Sequence, residues 1–167
     1  MPDPLLRQDP IAEATRLWAA HGWPDAAPGM AALTSLMRAH QIALSRVESV
    51  LKPLKVTFAR YEVLMLLEFS RRASLPMSTI GSRLQVHATS VTNAVDRLES
   101  AGLVRRLPPP TDGRATLVEI TPAGRALAAE ATTLLNESVF SNPGLSATDT
   151  QSLVDILARY RQDAGDF

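Results

Sequence analysis

The periodicity of residues 77–124 changes from helical to extended within one short stretch, and this order constrains the fold more than any other feature of the chain. Apolar residues at helical spacing behind Ser78 predict a first short helix, which Ser78 is expected to cap. A second helix is predicted from Ala88 to Ala101, because its apolar residues share one face and Gly102 is a typical helix stop. The stretch therefore opens with two short helices in close succession.

A hairpin is predicted directly after the second helix. Leu103–Leu107 and Ala115–Ile120 are rich in Leu, Val and Ile, and the segment PPPTDGR between them combines a proline run with an Asp-Gly turn signal. Arg114 lies beside that turn, near the predicted tip, from which it could enter a minor groove. The combination predicts a mainly α-helical fold with a small β-wing, a winged helix-turn-helix. A surface hairpin with solvated arginines is the alternative.

The outward face of the second helix carries short polar groups and one guanidinium, the side-chain types that contact base edges and phosphates. Its members are Thr89, Ser90, Thr92, Asn93 and Arg97. An ordinary solvated helix face has the same character. This face alone therefore leaves both interpretations open.

The distribution of charge favours a nucleic-acid partner. The formal net charge of the whole chain is zero, which argues against such a partner if it is taken alone. Between Arg71 and Arg114, however, seven arginines stand against three acidic residues, so this segment carries +4 and the remainder of the chain carries −4. A basic head on an acidic body fits phosphate binding. Chance clustering of arginines is the rival explanation.

These motifs together resemble the MarR (multiple antibiotic resistance regulator) family over most of residues 29–164. The segments that carry the resemblance are Val91-Thr92, Asp96-Arg97-Leu98-Glu99, Gly102-Leu103-Val104, Arg105-Arg106, Asp112-Gly113-Arg114-Ala115 and Ile120-Thr121-Pro122-Ala123-Gly124. The resemblance implies a sequence-specific DNA-binding transcriptional regulator, a ligand-responsive repressor that binds a pseudo-palindromic operator as a homodimer. It also implies that Arg114 approaches double-stranded DNA while Asp112 stabilises the wing. Asn93 departs from the family pattern, which usually has Arg or Lys at this position.

The side chains expected to contact DNA lie on both predicted helices and on the wing. They are Ser78, His87, Thr89, Ser90, Thr92, Asn93, Arg97, Arg105, Arg106 and Arg114. His87 stands near the start of the second helix, where contact with a phosphate and simple capping of the helix are equally open.

Outside residues 57–121, the predicted winged helix-turn-helix region, the chain is expected to be helical. Residues 1–28 form an N-terminal extension with an extra helix, and residues 29–56 and 122–167 form a dimerisation region within the same integrated domain. The predicted helices are Pro10–His21, Met30–Leu51, Phe58–Ser70 behind the cap Thr57, Pro122–Val139 behind the cap Thr121, and a last helix behind the cap Ser146. Because little core is left for the terminal helices to cover, we expect a homodimer; packing within one chain is the alternative.

A small-molecule effector of unknown identity is implied by the resemblance, at a site between the dimerisation helices and the DNA-reading region. The candidate ligand-binding side chains combine aromatic walls with polar anchors; they are Trp18, Arg38, His40, Tyr61, Glu62 and Met65. Trp18 and Glu62 resemble positions that serve the ligand site in the urate-responsive branch of the family, but Asn93 replaces the basic residue of that branch. Core packing or a solvated face is the alternative for each of these side chains.

Several classes of function have no support in the sequence. The chain has no cysteine, which excludes disulfides and thiol redox switches. Its three histidines are not at metal-ligand spacing and no motif of an enzyme occurs, so we expect no metal, no cofactor and no catalysis. The longest apolar run is too short to span a bilayer and no signal pattern is present, so we expect a cytoplasmic protein with no membrane partner. The remaining alternative to a regulator is a winged-helix protein-interaction module that does not read DNA.

Overall fold

The computed structural model describes residues 8–84, 88–108 and 116–167, which fall into two compact units, Met1–Arg46 and Val47–Phe167. The first unit contains helix α1 (Pro10–Ala20) and most of helix α2 (Ala27–Leu51), which continues into the second unit. The Asp9 side chain caps α1 by accepting a hydrogen bond from the Ile11 N–H at 2.9 Å. The extra helix predicted for the N-terminal extension is therefore confirmed.

The second unit contains all other elements. In chain order they are a 3-10 turn (Lys52–Leu54), α3 (Phe58–Glu68), β1 (Ser74–Pro76), α4 (Met77–Leu84), α5 (Ala88–Ser100), β2 (Val104–Leu107), β3 (Leu117–Ile120), α6 (Pro122–Leu135), a π-helical turn (Asn136–Phe140) and α7 (Ala147–Asp163). The predicted caps Thr57, Thr121 and Ser146 all accept a backbone N–H of their helix through the side-chain hydroxyl. The mainly α-helical fold with a small β-wing is confirmed.

Two groups of buried side chains hold the second unit together. The larger one joins α3, α4 and α5 to the sheet, and its fully buried members include Leu64, Ile80, Val95 and Val118. The smaller one joins the end of α2 and the start of α3 to α6 and includes Leu51, Tyr61, Ala131 and Leu135. The larger cluster fixes the inward face of α5, and so determines which of its residues point outward.

The sheet has three antiparallel strands in the order β1-β3-β2, one more than the sequence predicts. Ser74 pairs with Glu119 and Pro76 with Leu117, while Val104 pairs with Ile120 on the other side of β3. Strand β1 escaped prediction because three residues ending in proline carry no period-two pattern. The strand is defined by its pairing partner, which only the tertiary structure supplies.

The structure corrects several helix boundaries. α4 begins at Met77, directly after β1, where the Met77 N–H donates to the Thr116 carbonyl at 3.2 Å; Ser78 is therefore its second residue, and the prediction that Ser78 caps it is wrong. α2 begins at Ala27 instead of Met30, because Pro28 is tolerated in a first helical turn. α3 ends at Glu68, earlier than predicted, whereas the helical conformation after α6 continues through the π-helical turn to Phe140, close to the predicted end at Val139. Among the described residues, no helix is both long enough and apolar enough to cross a membrane.

Candidate nucleic-acid interface

Helix α5 has two chemically distinct faces. Val91, Val95 and Leu98 are buried in the larger core cluster, whereas Thr89, Ser90, Thr92, Asn93 and Arg97 are exposed. Gly102, with a φ of +72°, ends the helix in the left-handed conformation that glycine adopts most readily. The helix predicted to read DNA thus presents the polar face expected of it to the outside.

An open groove of about 500 Å³ follows this polar face and is lined by Asn93, Asp96, Arg97 and Ser100. Within the described residues, Arg97 has neither an ion-pair partner nor a hydrogen-bond partner, and its side chain is exposed. A cation without a counter-ion beside a groove is available to an anionic ligand. Arg97 is therefore a cation of this face whose side chain has no partner among the described residues.

Arg106 on β2 is bound to α5. Its guanidinium donates through Nη2 to Asp96 Oδ1 at 2.5 Å and through Nη1 to Glu99 Oε2, and its backbone N–H donates to Glu99 Oε1 at 2.9 Å. The Arg106 backbone N–H, followed by its guanidinium, lowers the pKa of Glu99, and the two carboxylates raise the pKa of Arg106. The single charge of Arg106 thereby compensates one of the two negative charges of Asp96 and Glu99, which would otherwise both repel a phosphate.

Arg105 also has a carboxylate partner, which lies on the neighbouring strand of the sheet. Its Nε donates to Glu119 Oε2 on the directly opposite residue of β3. Both β2 arginines were predicted to contact DNA, and that prediction stays untested. What the structure adds is that each has a carboxylate partner within the same chain.

Helix α4 contributes two further exposed polar groups beside α5, Ser78 and Arg83. Arg83 lies in the last turn of α4 and has no ion-pair or hydrogen-bond partner in the part of the chain that the structure describes. It also borders an open cavity of about 530 Å³ with Arg161, Asp166 and Phe167. Arg83 was counted in the basic segment but was not predicted to contact DNA. Its positive charge at the end of the helix that precedes α5 is a signal for such a contact that the sequence contains.

Three predicted residues, His87, Asp112 and Arg114, lie outside the described residues. Their assignments as two DNA contacts and one wing-stabilising carboxylate stay predictions. The structure describes the two strands on either side of residues 109–115, namely β2 and β3, up to Pro108 and from Thr116.

The predicted ligand-binding residues belong to both units. In the second unit, Tyr61 is 7% exposed and its hydroxyl is hydrogen-bonded to Thr132 Oγ1 at 2.9 Å, while Met65 contacts both core clusters. Glu62 is half-buried, has no partner among the described residues, and burial raises the pKa of its carboxyl. Trp18, Arg38 and His40 are exposed in the first unit, where Trp18 contacts Trp23 with ring centroids 5.1 Å apart.

The comparisons with known proteins agree on one family. The model of the MarR family matches residues 56–116. Sco5413, a MarR family transcriptional regulator from Streptomyces coelicolor, is 48% identical, with a TM-score of 0.77 over 84% of this chain and 97% of that chain. The chain belongs to the MarR family.

Two further relatives are less similar to this chain than Sco5413. A variant of MarR from Escherichia coli, solved with operator DNA, is 26% identical, with a TM-score of 0.69 over 76% of this chain and 91% of that chain. The transcriptional repressor IacR of Pseudomonas putida is 33% identical over 89 residues, which are 53% of this chain and 52% of IacR. The chain thus spans about half the length of this curated relative. In this MarR-family fold, α4 and α5 form the helix-turn-helix pair, and β2 and β3 are the wing strands.

Proposed function

We propose that this protein is a transcriptional regulator that binds a specific DNA sequence through α5 and the wing. The observation that carries the proposal is the exposed polar face of α5, on which the Arg97 side chain has no partner among the described residues while Arg106 holds the neighbouring acids Asp96 and Glu99. The remaining contacts follow the assignments from sequence: Thr89, Ser90, Thr92 and Asn93 face base edges, and Ser78 faces a phosphate. The operator complex of the Escherichia coli relative supports this arrangement.

The functional form is a homodimer in this proposal. None of the residues of α7 is buried, and its apolar residues Leu153, Ile156 and Tyr160 are 43%, 54% and 52% exposed. A helix with this much exposed apolar surface is typical of an interface. Two copies of α5 related by a two-fold axis would read half-sites one turn of DNA apart, about 34 Å.

Repression and response to a small effector complete the proposal. A dimer bound at a promoter blocks access to it without further contacts, and the relative IacR is a repressor. Glu62 supports an effector site, because a half-buried carboxyl that has no partner among the described residues retains capacity for an external hydrogen-bond donor. Tyr61 and Met65 are the other proposed contributors of the second unit, while Trp18, Arg38 and His40 of the first unit stay predictions from the sequence.

The proposal is tested by selecting duplexes from a random-sequence pool with the full-length protein and measuring affinity across a salt series. A regulator recovers a consensus with two related half-sites. Arg97→Ala is expected to reduce the slope of log K against log salt by about 0.9 for each phosphate that is no longer neutralised, whereas Asn93→Ala is expected to change base preference with little effect on that slope. Arg159→Ala, which removes the same charge from exposed α7, is the matched control, and sedimentation equilibrium verifies that it remains a dimer because α7 is the proposed interface. Recovery of no consensus, or equal effects of Arg97→Ala and Arg159→Ala, would refute the proposal.

A further inference from the structure

We propose that Glu99 and Asp96 act as positioning residues for DNA binding, because they hold the wing strand β2 against α5 through Arg106. The inference rests on the proposed function and adds a role to two acidic residues that would otherwise only repel phosphates. We name Asp96, Glu99 and Arg106 the helix–wing clamp. Its contacts join two elements that approach DNA separately, one as the reading helix and one as the strand that leads into the wing.

The clamp involves both the side chain and the backbone of Arg106. Asp96 and Glu99 are three residues apart and therefore neighbours on one side of α5, and one guanidinium bridges both. Glu99 uses its two carboxylate oxygens separately, Oε2 for the guanidinium and Oε1 for the Arg106 backbone N–H at 2.9 Å. The clamp thus holds both the side chain and the main chain of β2.

The backbone contact matters because β2 is an edge strand. Only β3 pairs with it in the sheet order β1-β3-β2, so a backbone N–H on its other side needs an acceptor outside the sheet. Glu99 supplies this acceptor for Arg106. Without it, the backbone of β2 would lose this acceptor, and the Arg106–Asp96 ion pair and the packing of the buried Val104 would remain between β2 and α5.

The clamp differs from an ordinary surface ion pair. Isolated exposed pairs contribute little, and all three side chains are partly exposed. Here three charged groups share one bridging guanidinium, and a charge-assisted backbone hydrogen bond is added. The matched comparison is Arg105–Glu119, which joins two neighbouring strands and does not bind the sheet to a helix.

Glu99→Gln is the decisive substitution, because two explanations of Glu99 predict opposite changes in DNA affinity. If Glu99 merely sits near DNA, removing its negative charge strengthens binding. If Glu99 positions β2, the same substitution weakens binding, by about fivefold for a coupling near 1 kcal/mol. Asp96→Asn is expected to weaken binding less, because both bonds of Glu99 remain. Glu119→Gln is expected to bind no more weakly than the wild type.

Affinities are measured on the duplex selected by the wild-type protein and expressed per folded molecule, with the folded fraction taken from thermal unfolding of each variant. The charge-swapped pair Glu99→Arg with Arg106→Glu is expected to recover only part of the affinity that Arg106→Glu alone loses, because the ion pair forms in reverse while the backbone N–H of residue 106 loses its acceptor and Asp96 faces a second carboxylate. Tighter or unchanged binding by both Glu99→Gln and Asp96→Asn would overturn the inference. A wild-type protein that selects no duplex would instead refute the proposed function, so the two failures are distinguishable.

Discussion

Gly124→Ala tests how closely the start of α6 approaches the turn after α5. A Cβ at this position would lie 2.1 Å from the Leu103 carbonyl oxygen and 2.8 Å from Ile120 Cγ1. The oxygen would have to retreat by at least about 1 Å to reach an ordinary contact distance. It accepts hydrogen bonds from both the Thr121 N–H and the Thr121 hydroxyl, each at 3.0 Å, so the retreat also weakens the bonds that hold the cap residue of α6 in place.

The expected cost is about 3 kcal/mol, the upper end of the range for overpacking, because the obstacle is backbone and its hydrogen bonds are worth about 1 kcal/mol each. For a chain of this size that corresponds to a fall in Tm of roughly 6–12 °C. Gly29→Ala is the matched control: Gly29 lies in α2 with nothing within 4 Å of the added Cβ, and the substitution should leave stability unchanged or raise it by up to about 1 kcal/mol. Urea and thermal unfolding followed by circular dichroism measure both. A Gly124→Ala protein as stable as Gly29→Ala would refute the reasoning.

Four further substitutions have expected outcomes. Glu62→Gln should raise Tm at neutral pH, because burial raises the pKa of Glu62 and the ionised carboxylate is therefore less favourable in the folded protein. Below the ordinary pKa of 4.5 the carboxyl is protonated in both states and the difference in Tm should disappear; a higher Tm of the variant that persists well below pH 4.5 would contradict this. Glu99→Gln should lower Tm at neutral pH, since its pKa is lowered and its contribution is lost only as pH falls below 4.5; equal melting at neutral pH would contradict it. Thr132→Val leaves the buried Tyr61 hydroxyl without a partner and should cost about 1–2 kcal/mol in urea unfolding, whereas a neutral effect would show that water satisfies it. Ile156→Arg should convert a dimer to a monomer in sedimentation equilibrium, and an unchanged mass would exclude α7 from the interface.

The helices could be predicted from sequence because their signals are local. Thr57, Thr121 and Ser146 cap their helices as expected, and Gly102 stops α5, since each of these interactions spans only a few residues. Strand β1 could not be predicted, because its pairing with β3 joins segments more than forty residues apart. Ser78 was misassigned for a related reason: the start of α4 is determined by a hydrogen bond to Thr116, which a capping pattern does not contain.

In the candidate site as well, features encoded by local sequence could be predicted, whereas contacts between separate elements could not. Helical periodicity alone predicted which residues of α5 point outward, and the structure agrees for Asn93 and Arg97. The partners of the charged residues could not be predicted, because Arg106 meets Asp96 and Glu99 only after the chain turns back at Gly102. Ion pairs between an α-helix and a following strand depend on the angle of that turn, which no spacing in the sequence encodes.

The ion pairs also change what the charge of the basic segment means. Counting formal charges gives a surplus of four positive charges between Arg71 and Arg114, yet salt dependence reports only the phosphates that cations neutralise. Arg105 and Arg106 already neutralise carboxylates in the protein. Either guanidinium keeps N–H groups free for a phosphate, but its positive charge is shared with the carboxylate that it already binds, so its net contribution to phosphate neutralisation should be smaller. Among the described residues of α4 and α5, we therefore expect phosphate contacts from Arg83 and Arg97, for which the described residues provide no ion-pair partner. The salt slope should be smaller than the arginine count suggests, and the arginines of β2 should contribute to affinity through the position of the wing.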